Sequence, residues 1–134
     1  MKGKPKIAPT KKKPGIKFDG TKLRYDLIPP VATDQLMAVM TFGAAKYGDD
    51  NWRQVADAEG RYLAAAQRHI MKFQAARKGA RNSSRFDKET GLSHLSHAIT
   101  CLAFMVELEI GEELTEDQVA DLIQKAVVAR KAKS

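Results

Sequence analysis

The sequence contains a single cysteine and no long apolar run. Cys101 alone excludes an internal disulfide, and its place in an apolar stretch predicts a small core residue in a reducing compartment. No apolar run approaches the ~20 residues of a membrane-spanning helix. The basic N-terminus is followed by no apolar segment, so we see no secretory signal. These absences predict a cytoplasmic protein.

The common nucleotide-binding and catalytic motifs are absent as well. The chain has no GxxxxGK[ST] or GxGxxG loop, no HExxH, no paired CxxC, and no serine or cysteine nucleophile motif. Aromatic residues are too few, at 7%, to interleave with the basic residues as a single-strand-binding platform. No predicted helix has the polar reading face of a helix-turn-helix.

The positive charge belongs to one end of the chain. Residues 1–28 hold nine Lys/Arg against two Asp, whereas residues 29–134 hold fourteen of each sign, so the net charge of +7 is a property of the first segment. Residues 1–17 are rich in lysine, proline and glycine, which predicts a flexible tail. That tail could contact nucleic acid weakly or be a solvated arm. Residues 18–134 are expected to form one domain, since a chain of this size buries roughly two-thirds of its unfolded surface.

The rest of the sequence predicts an all-α fold of about four helices, with no convincing strand. Residues 22–28 alternate apolar and charged side chains, as in a short extended segment. The predicted helices are Val31–Tyr47 after a proline pair, Arg61–Lys78, a third ending near Ile110, and a last one from Thr115 to about Ala132. From Ala98 to Val106 only Thr100 is polar, so we expect the third helix to be buried all round.

Imidazoles and carboxylates gather where the third helix begins. His94 and His97 are spaced i and i+3 and so share a face, and Asp87 and Glu89 come just before them. His69 lies on or beside the apolar stripe of the second helix. Such a group suits a metal or phosphate site. The alternative is a capping loop followed by histidines bonded to ordinary acceptors, since HxxH is a weak motif.

Four segments in order resemble the dATP/dGTP diphosphohydrolase family found mainly in tailed phages, usually grouped near the MazG-like all-α pyrophosphohydrolases. They are GTKLRYDLIPP (20–30), TFGAAKYGDDNW (41–52), RYLAAAQRHIMKF (61–73) and DKETGLSHLSHAITCLAF (87–104). The resemblance covers about residues 18–110. It implies a MazG-like bundle and hydrolysis of dGTP or dATP to the monophosphate and pyrophosphate. It also implies a divalent metal, a dimer or tetramer, and a place in phage nucleotide metabolism.

The metal ligands depart from the MazG-like pattern, which has ExxE on one helix and ExxD on a later one. Here HxxH stands at the later position, and residues 61–80 hold no carboxylate. The expected substitute is a mixed site of His69, His94, His97 and Asp87. Mg or Mn is the expected ion, and imidazole ligands leave Co or Zn open. Metals held by histidine and carboxylate also resemble the histidine–aspartate phosphohydrolases, which remain an alternative.

Two sets of residues follow from this hypothesis. The catalytic group comprises Asp87, Glu89, His94 and His97, which hold the metal or its water, or take the water's proton. Phosphate and base contacts are assigned to Lys22, Arg24, Lys46, Asn51, Trp52, Arg61 and Arg68. A rival of another class is a non-catalytic phage helical protein whose lysine tail binds DNA.

Overall fold

The computed structural model describes Gly3 and residues 14–133, and the all-α prediction is confirmed there. Four α-helices follow one another: α1 (Pro30–Tyr47), α2 (Ala58–Arg77), α3 (His94–Ile110) and α4 (Glu116–Ala132). Most of the predicted tail, residues 1–17, lies outside the described residues. No strand occurs in the described part, where Phe86 and Ser93 form one isolated antiparallel bridge. None of the described helices is long and apolar enough to cross a membrane.

The helix boundaries follow local signals in the sequence. Pro30 occupies the first turn of α1, and Gly48 ends that helix with a φ of +95°. The predicted capping box of α4 is present, since Thr115 accepts from the backbone N–H of Gln118, whose side chain accepts from the N–H of Thr115. These bonds position each helix end without help from distant residues.

The extended conformation predicted for residues 22–28 was wrong. Tyr25–Leu27 forms a 3₁₀ turn, in which the Ile28 N–H donates to the carbonyl of Tyr25 at 3.2 Å. The local turn replaces strand pairing because no neighbouring strand offers a ladder, and the Arg24–Asp26 ion pair spans the turn at 2.7 Å.

The first three helices form a layer centred on α3. α2 packs along one side of α3 and α1 packs along another, whereas α1 and α2 make at most a marginal contact. Ser96 on α3 donates to the side chain of Gln35 on α1 at 3.1 Å. A short 3₁₀ helix, Asn51–Gln54, touches both α2 and α3. This arrangement leaves a cleft between α1 and α2 with α3 as its floor.

The expectation that α3 is buried all round was also wrong. Ala98 and Thr100 are buried, but Leu95, Ile99, Leu102 and Val106 are 46%, 43%, 43% and 58% exposed. Apolar composition predicts burial only if enough partners exist, and here α4 packs on none of the other helices to a comparable extent. One apolar stripe of α3 is therefore left facing outward.

Candidate active site

The cleft between α1 and α2 has a volume of about 560 Å³. Met40, Lys46 and Tyr47 of α1 line one side, and Tyr62 and His69 of α2 line the other. The floor comes from α3, and the loop before it closes one end; these residues include Asp87, Glu89, Thr90, His97, Thr100, Cys101 and Phe104. One end is therefore polar, rich in imidazole and carboxylate, and the other end is largely apolar.

The three histidines cluster at the polar end, where His69 and His97 line the cleft and the buried His94 does not. The Nδ1 atoms of His69 and His94 are 2.9 Å apart, so one ring donates its N–H to the other. The ring of His97 stacks on that of His69, with centroids 4.7 Å apart and planes inclined by 14°. The i, i+3 spacing on α3 and the close packing of α2 on α3 bring the rings together. Within the described residues, these rings are bonded to other side chains at the cleft.

Burial keeps two of these rings neutral. It lowers the pKa of His69 to about 4, and the proximity of the His97 and His94 rings contributes to this effect. Burial also lowers the pKa of His94, and the ammonium of Lys72 adds to this effect. A neutral imidazole has a free nitrogen lone pair, which is the form that binds a metal ion.

Asp87 is held by a turn that also holds His97. Its Oδ1 accepts from the backbone N–H groups of Glu89 and Thr90, each at 3.0 Å, and from the Thr90 hydroxyl at 3.2 Å. The same hydroxyl lies 2.7 Å from Nε2 of His97. Burial raises the pKa of Asp87, but the hydrogen bonds from Thr90 and Glu89 and the charge of His97 outweigh it, so the pKa lies below its ordinary value. Asp87 is thus ionised at neutral pH.

Three of these groups have the spacing of a metal site. One ligand atom each from His69, Asp87 and His94 lies within 4.8 Å of the others. The 2.9 Å between the two Nδ1 atoms is a hydrogen-bond distance, so a metal ion would displace the proton that the two rings share at this point. Two neutral nitrogens and an ionised carboxylate form a suitable donor set for a transition metal. His97, by contrast, lies beside this group, with its Nε2 3.8 Å from Asp87.

The remaining predicted catalytic residue, Glu89, lies at the mouth of the cleft. It forms an ion pair with Lys46 at 2.8 Å, which raises the pKa of that lysine. Both side chains are substantially exposed. The pair joins the end of α1 to the loop before α3, so the two elements that flank the cleft are linked at this point.

Asn51 and Trp52 also line the cleft, at its apolar end. Phe104 stacks on one face of Trp52 with centroids 4.3 Å apart. The guanidinium of Arg53 covers the other face at 4.2 Å. With both faces occupied, Trp52 presents its edge to the cleft, and the predicted stacking on a base would require Arg53 to move.

The predicted basic residues are divided among three places. Only Lys46 lines the cleft; Arg61 and Arg68 line a second groove on α2. The two cavities share Tyr47, Asn51 and Tyr62, so they adjoin at those side chains.

The third place holds Lys22 and Arg24. They line neither cavity in the described part of the chain, and Arg24 pairs with Asp26 instead.

Two residues of the site were missed by the sequence reasoning. Thr90 bridges Asp87 and His97, and the Asp-Lys-Glu-Thr turn pattern could have indicated it, since aspartate often accepts from the backbone two or three residues later. Lys72 acts on His69 and His94 through its charge. Its spacing of three residues from His69 on a helix was the available signal.

The class defined by these features is an all-α protein with a histidine–carboxylate cluster in an interhelical cleft. The chain belongs to the family described as dATP/dGTP diphosphohydrolase, N-terminal, whose model matches residues 12–118.

One relative is the protein named dATP/dGTP diphosphohydrolase of Salmonella phage PMBT28, 34% identical over 104 residues. That match covers 78% of this chain but only 33% of the relative, so the chain spans about a third of the relative's length. No solved structure matches this chain. The MazG-like arrangement of the helices therefore stays a prediction.

Proposed function

We propose that this chain hydrolyses purine (deoxy)nucleoside triphosphates, dGTP or dATP, to the monophosphate and pyrophosphate with a divalent metal, as part of phage nucleotide metabolism in the host cytoplasm. The observation that carries the proposal is the cluster of neutral His69, neutral His94 and ionised Asp87, of which His69 and Asp87 line one end of a nucleotide-sized cleft. Family membership and the name of the phage relative supply the substrate class.

The metal, when bound, would acidify a water molecule and neutralise charge on the phosphate oxygens. His69, His94 and Asp87 would hold it. Two nitrogens and one oxygen favour Mn, Co or Zn over Mg, which prefers oxygen ligands. The experiment with different ions is therefore part of the test.

His97 would take a proton. If the Thr90 hydroxyl donates to Asp87 at 3.2 Å, it accepts from Nε2–H of His97 at 2.7 Å. Nδ1 of His97 would then have a free lone pair, the requirement for a general base. Glu89 would act from the cleft mouth, by releasing Lys46 to a phosphate when substrate enters.

The cations would bind the phosphates of the substrate, and the apolar wall of the cleft would contact its purine. Lys46 would contact phosphate within the cleft, and Arg61 and Arg68 would do so from the adjoining groove. Tyr62 and Phe104, whose rings meet edge to face at 5.2 Å, would bound the purine together with Asn51 and the edge of Trp52. Lys22 and Arg24 would need the segment before α1 to fold toward the cleft.

We further propose that the chain acts as a homo-oligomer. Among the described residues, the apolar side chains that are buried are three alanines: Ala66, Ala98 and Ala120. Protein interiors normally bury larger aliphatic and aromatic side chains. A second copy would supply the missing cover.

The test is a product assay on the 134-residue chain itself, because the match covers only 33% of the relative whose name gives the activity. Eight common nucleotides are tested with Mg and with Mn. We expect pyrophosphate from dGTP or dATP, reduced about 100-fold or more by His94→Ala. Removal of residues 1–17 should leave this rate unchanged.

The alternatives give different results in the same experiment. Inorganic triphosphate as the product would indicate a histidine–aspartate-type phosphohydrolase. No turnover, combined with salt-sensitive DNA binding that is lost without residues 1–17, would indicate a DNA-binding protein instead. Either result contradicts the proposal.

A further inference from the structure

The last turns of α2 and the loop that follows them carry a dense group of positive charges. Residues 72–85 contain five Lys/Arg and no Asp/Glu. All five side chains are exposed, and together they are called the basic patch: Lys72, Arg77, Lys78, Arg81 and Arg85. In the described chain, none of them lines the cleft or the adjoining groove. A nucleotide bound in the cleft would therefore leave the basic patch without a counter-charge.

No carboxylate of the described residues forms an ion pair with the basic patch. The next carboxylates along the chain have other partners, since Asp87 accepts three hydrogen bonds from its own turn and Glu89 pairs with Lys46. Residues 107–117 hold six Asp/Glu and no Lys/Arg, but they begin 13 residues after the start of α3, about 20 Å along its axis. That distance exceeds the Debye length of about 8 Å at physiological ionic strength.

The loop holds its charges in a defined arrangement. The Ala80 N–H donates to the carbonyl of Ala75 at 2.9 Å, the bond that closes a helix in a Schellman motif. The guanidinium of Arg85 lies 5.1 Å from the centre of the Phe73 ring, so the loop turns back onto α2. The His94 N–H donates to the carbonyl of Arg85 at 2.9 Å, which joins the loop to α3. The basic patch is thus part of the folded domain.

The groups in and beside the basic patch suit phosphate. Three of its five cations are arginines, whose planar guanidinium can donate two parallel N–H bonds to one phosphate. Asn82 has a φ of +58°, and its N–H donates to no acceptor among the described residues. The Ser84 hydroxyl accepts from the Phe86 N–H, which leaves its proton free to donate. Phe86 is 58% exposed and could contact a base.

We propose that the basic patch binds the sugar–phosphate backbone of a nucleic acid, independently of base sequence. A strand presents a row of phosphates, which can contact several of the cations at once, and contacts to phosphates do not read the bases. The proposal places the contact on the folded domain, in contrast to the lysine-rich residues 1–17. It does not depend on the hydrolase activity.

Fluorescence anisotropy on the full chain tests the proposal, with a labelled DNA duplex of about 20 base pairs and the matching single strand, between roughly 50 and 200 mM salt. We expect wild-type binding that weakens steeply with salt. Arg77→Gln/Lys78→Gln/Arg81→Gln should lower the affinity about 10-fold or more and reduce the log–log salt slope by about 2–3, since each lost phosphate contact contributes about 0.7–0.9.

The matched control removes three charges from the tail. Lys11→Gln/Lys12→Gln/Lys13→Gln has the same net charge as the patch variant, so we expect it to lose less affinity and less of the salt slope. Absence of binding by the wild type at the lowest salt would overturn the proposal. A tail variant that loses as much affinity as the patch variant would also overturn it.

Two further measurements keep the test decisive if the glutamine variant folds poorly, which circular dichroism would show. Arg77→Lys/Arg81→Lys keeps both charges, so its salt slope should stay within about one of the wild-type value. Poly-glutamate, an acidic peptide without phosphate, should displace the DNA less well than unlabelled DNA does. A lysine variant that loses binding, or equal displacement by poly-glutamate, contradicts recognition of a phosphate backbone.

Discussion

Thr90 illustrates how one hydroxyl links two neighbouring groups. It donates to Asp87 and lies 2.7 Å from Nε2 of His97, so it helps to orient both the carboxylate and the ring. Hydrogen bonds behind metal ligands and bases often matter nearly as much as the ligands themselves. The sequence alone pointed to Asp87 and His97 but not to the residue between them.

The first prediction concerns this hydroxyl. Thr90→Val keeps the shape of the side chain but removes the hydroxyl's hydrogen bonds to Asp87, His97 and the Leu92 N–H, so we expect metal-dependent pyrophosphate release to fall about 10- to 100-fold. Thr90→Ser should restore most of the activity, because it restores the hydroxyl. The pH profile should shift in the valine variant only. Equal rates for the valine variant and the wild type would exclude the role assigned to Thr90.

The second prediction follows from the lowered pKa of His69. Its pKa falls from an ordinary 6.5 to about 4 in the folded chain, mainly through burial. Between these values the unfolded chain binds more protons, so the free energy of unfolding decreases as the pH falls through that window. The change should be on the order of 1–2 kcal/mol, since the ring keeps some solvent contact.

Urea unfolding at several pH values, with a chelator present, measures this effect. His69→Asn removes the titrating ring while keeping a polar side chain, so the dependence on pH between 4 and 6.5 should become shallower. An unchanged slope in this variant would show that His69 titrates normally.

At the scale of helices, boundaries were predictable wherever local chemistry decides them. Three helix ends were predicted to within a residue or so. The start of α1 follows from Pro29 and Pro30, its end from Gly48, and the start of α4 from the Thr115–Gln118 pair. α2 begins at Ala58 instead of the expected Arg61, because the backbone carbonyl of Asp57 accepts from the Arg61 N–H at 3.0 Å and starts the helix earlier than the apolar pattern indicates.

What the sequence could not show is which helix faces meet. The apolar run of α3 predicted burial on every side, yet α1 and α2 cover only part of it. Arg61 and Arg68 lie on the same helix as His69 but face an adjoining groove. Their position depends on the rotation of α2 about its own axis where it packs on α3. Such placements are set by packing between distant segments, which periodicity does not record.

The third prediction tests the start of α3. The Ser93 side chain accepts from the backbone N–H of Leu95 at 3.1 Å and so caps the helix directly before His94. Ser93→Ala should lower the free energy of unfolding by about 1 kcal/mol, whereas Ser93→Asp keeps a capping oxygen. Urea unfolding compares the two. An alanine variant as stable as the aspartate variant would show that the cap contributes little.

At the scale of the whole molecule, function depends on whether this chain holds a complete site. The cleft brings together residues from α1, α2, α3 and two loops, all within the part that matches the family. The match covers only 33% of the phage relative, so the relative's name describes more than the part that the two chains share. The cluster of His69, Asp87 and His94 is the feature that this chain supplies by itself.

The most direct measurement is a crystal structure of the chain grown with Mn²⁺ and a non-hydrolysable dGTP analogue, with the ion located by anomalous scattering. We predict a manganese peak about 2.0–2.3 Å from Nδ1 of His69, Nδ1 of His94 and a carboxylate oxygen of Asp87, next to the triphosphate. A bound nucleotide with manganese elsewhere, and none at the histidines, would contradict the account.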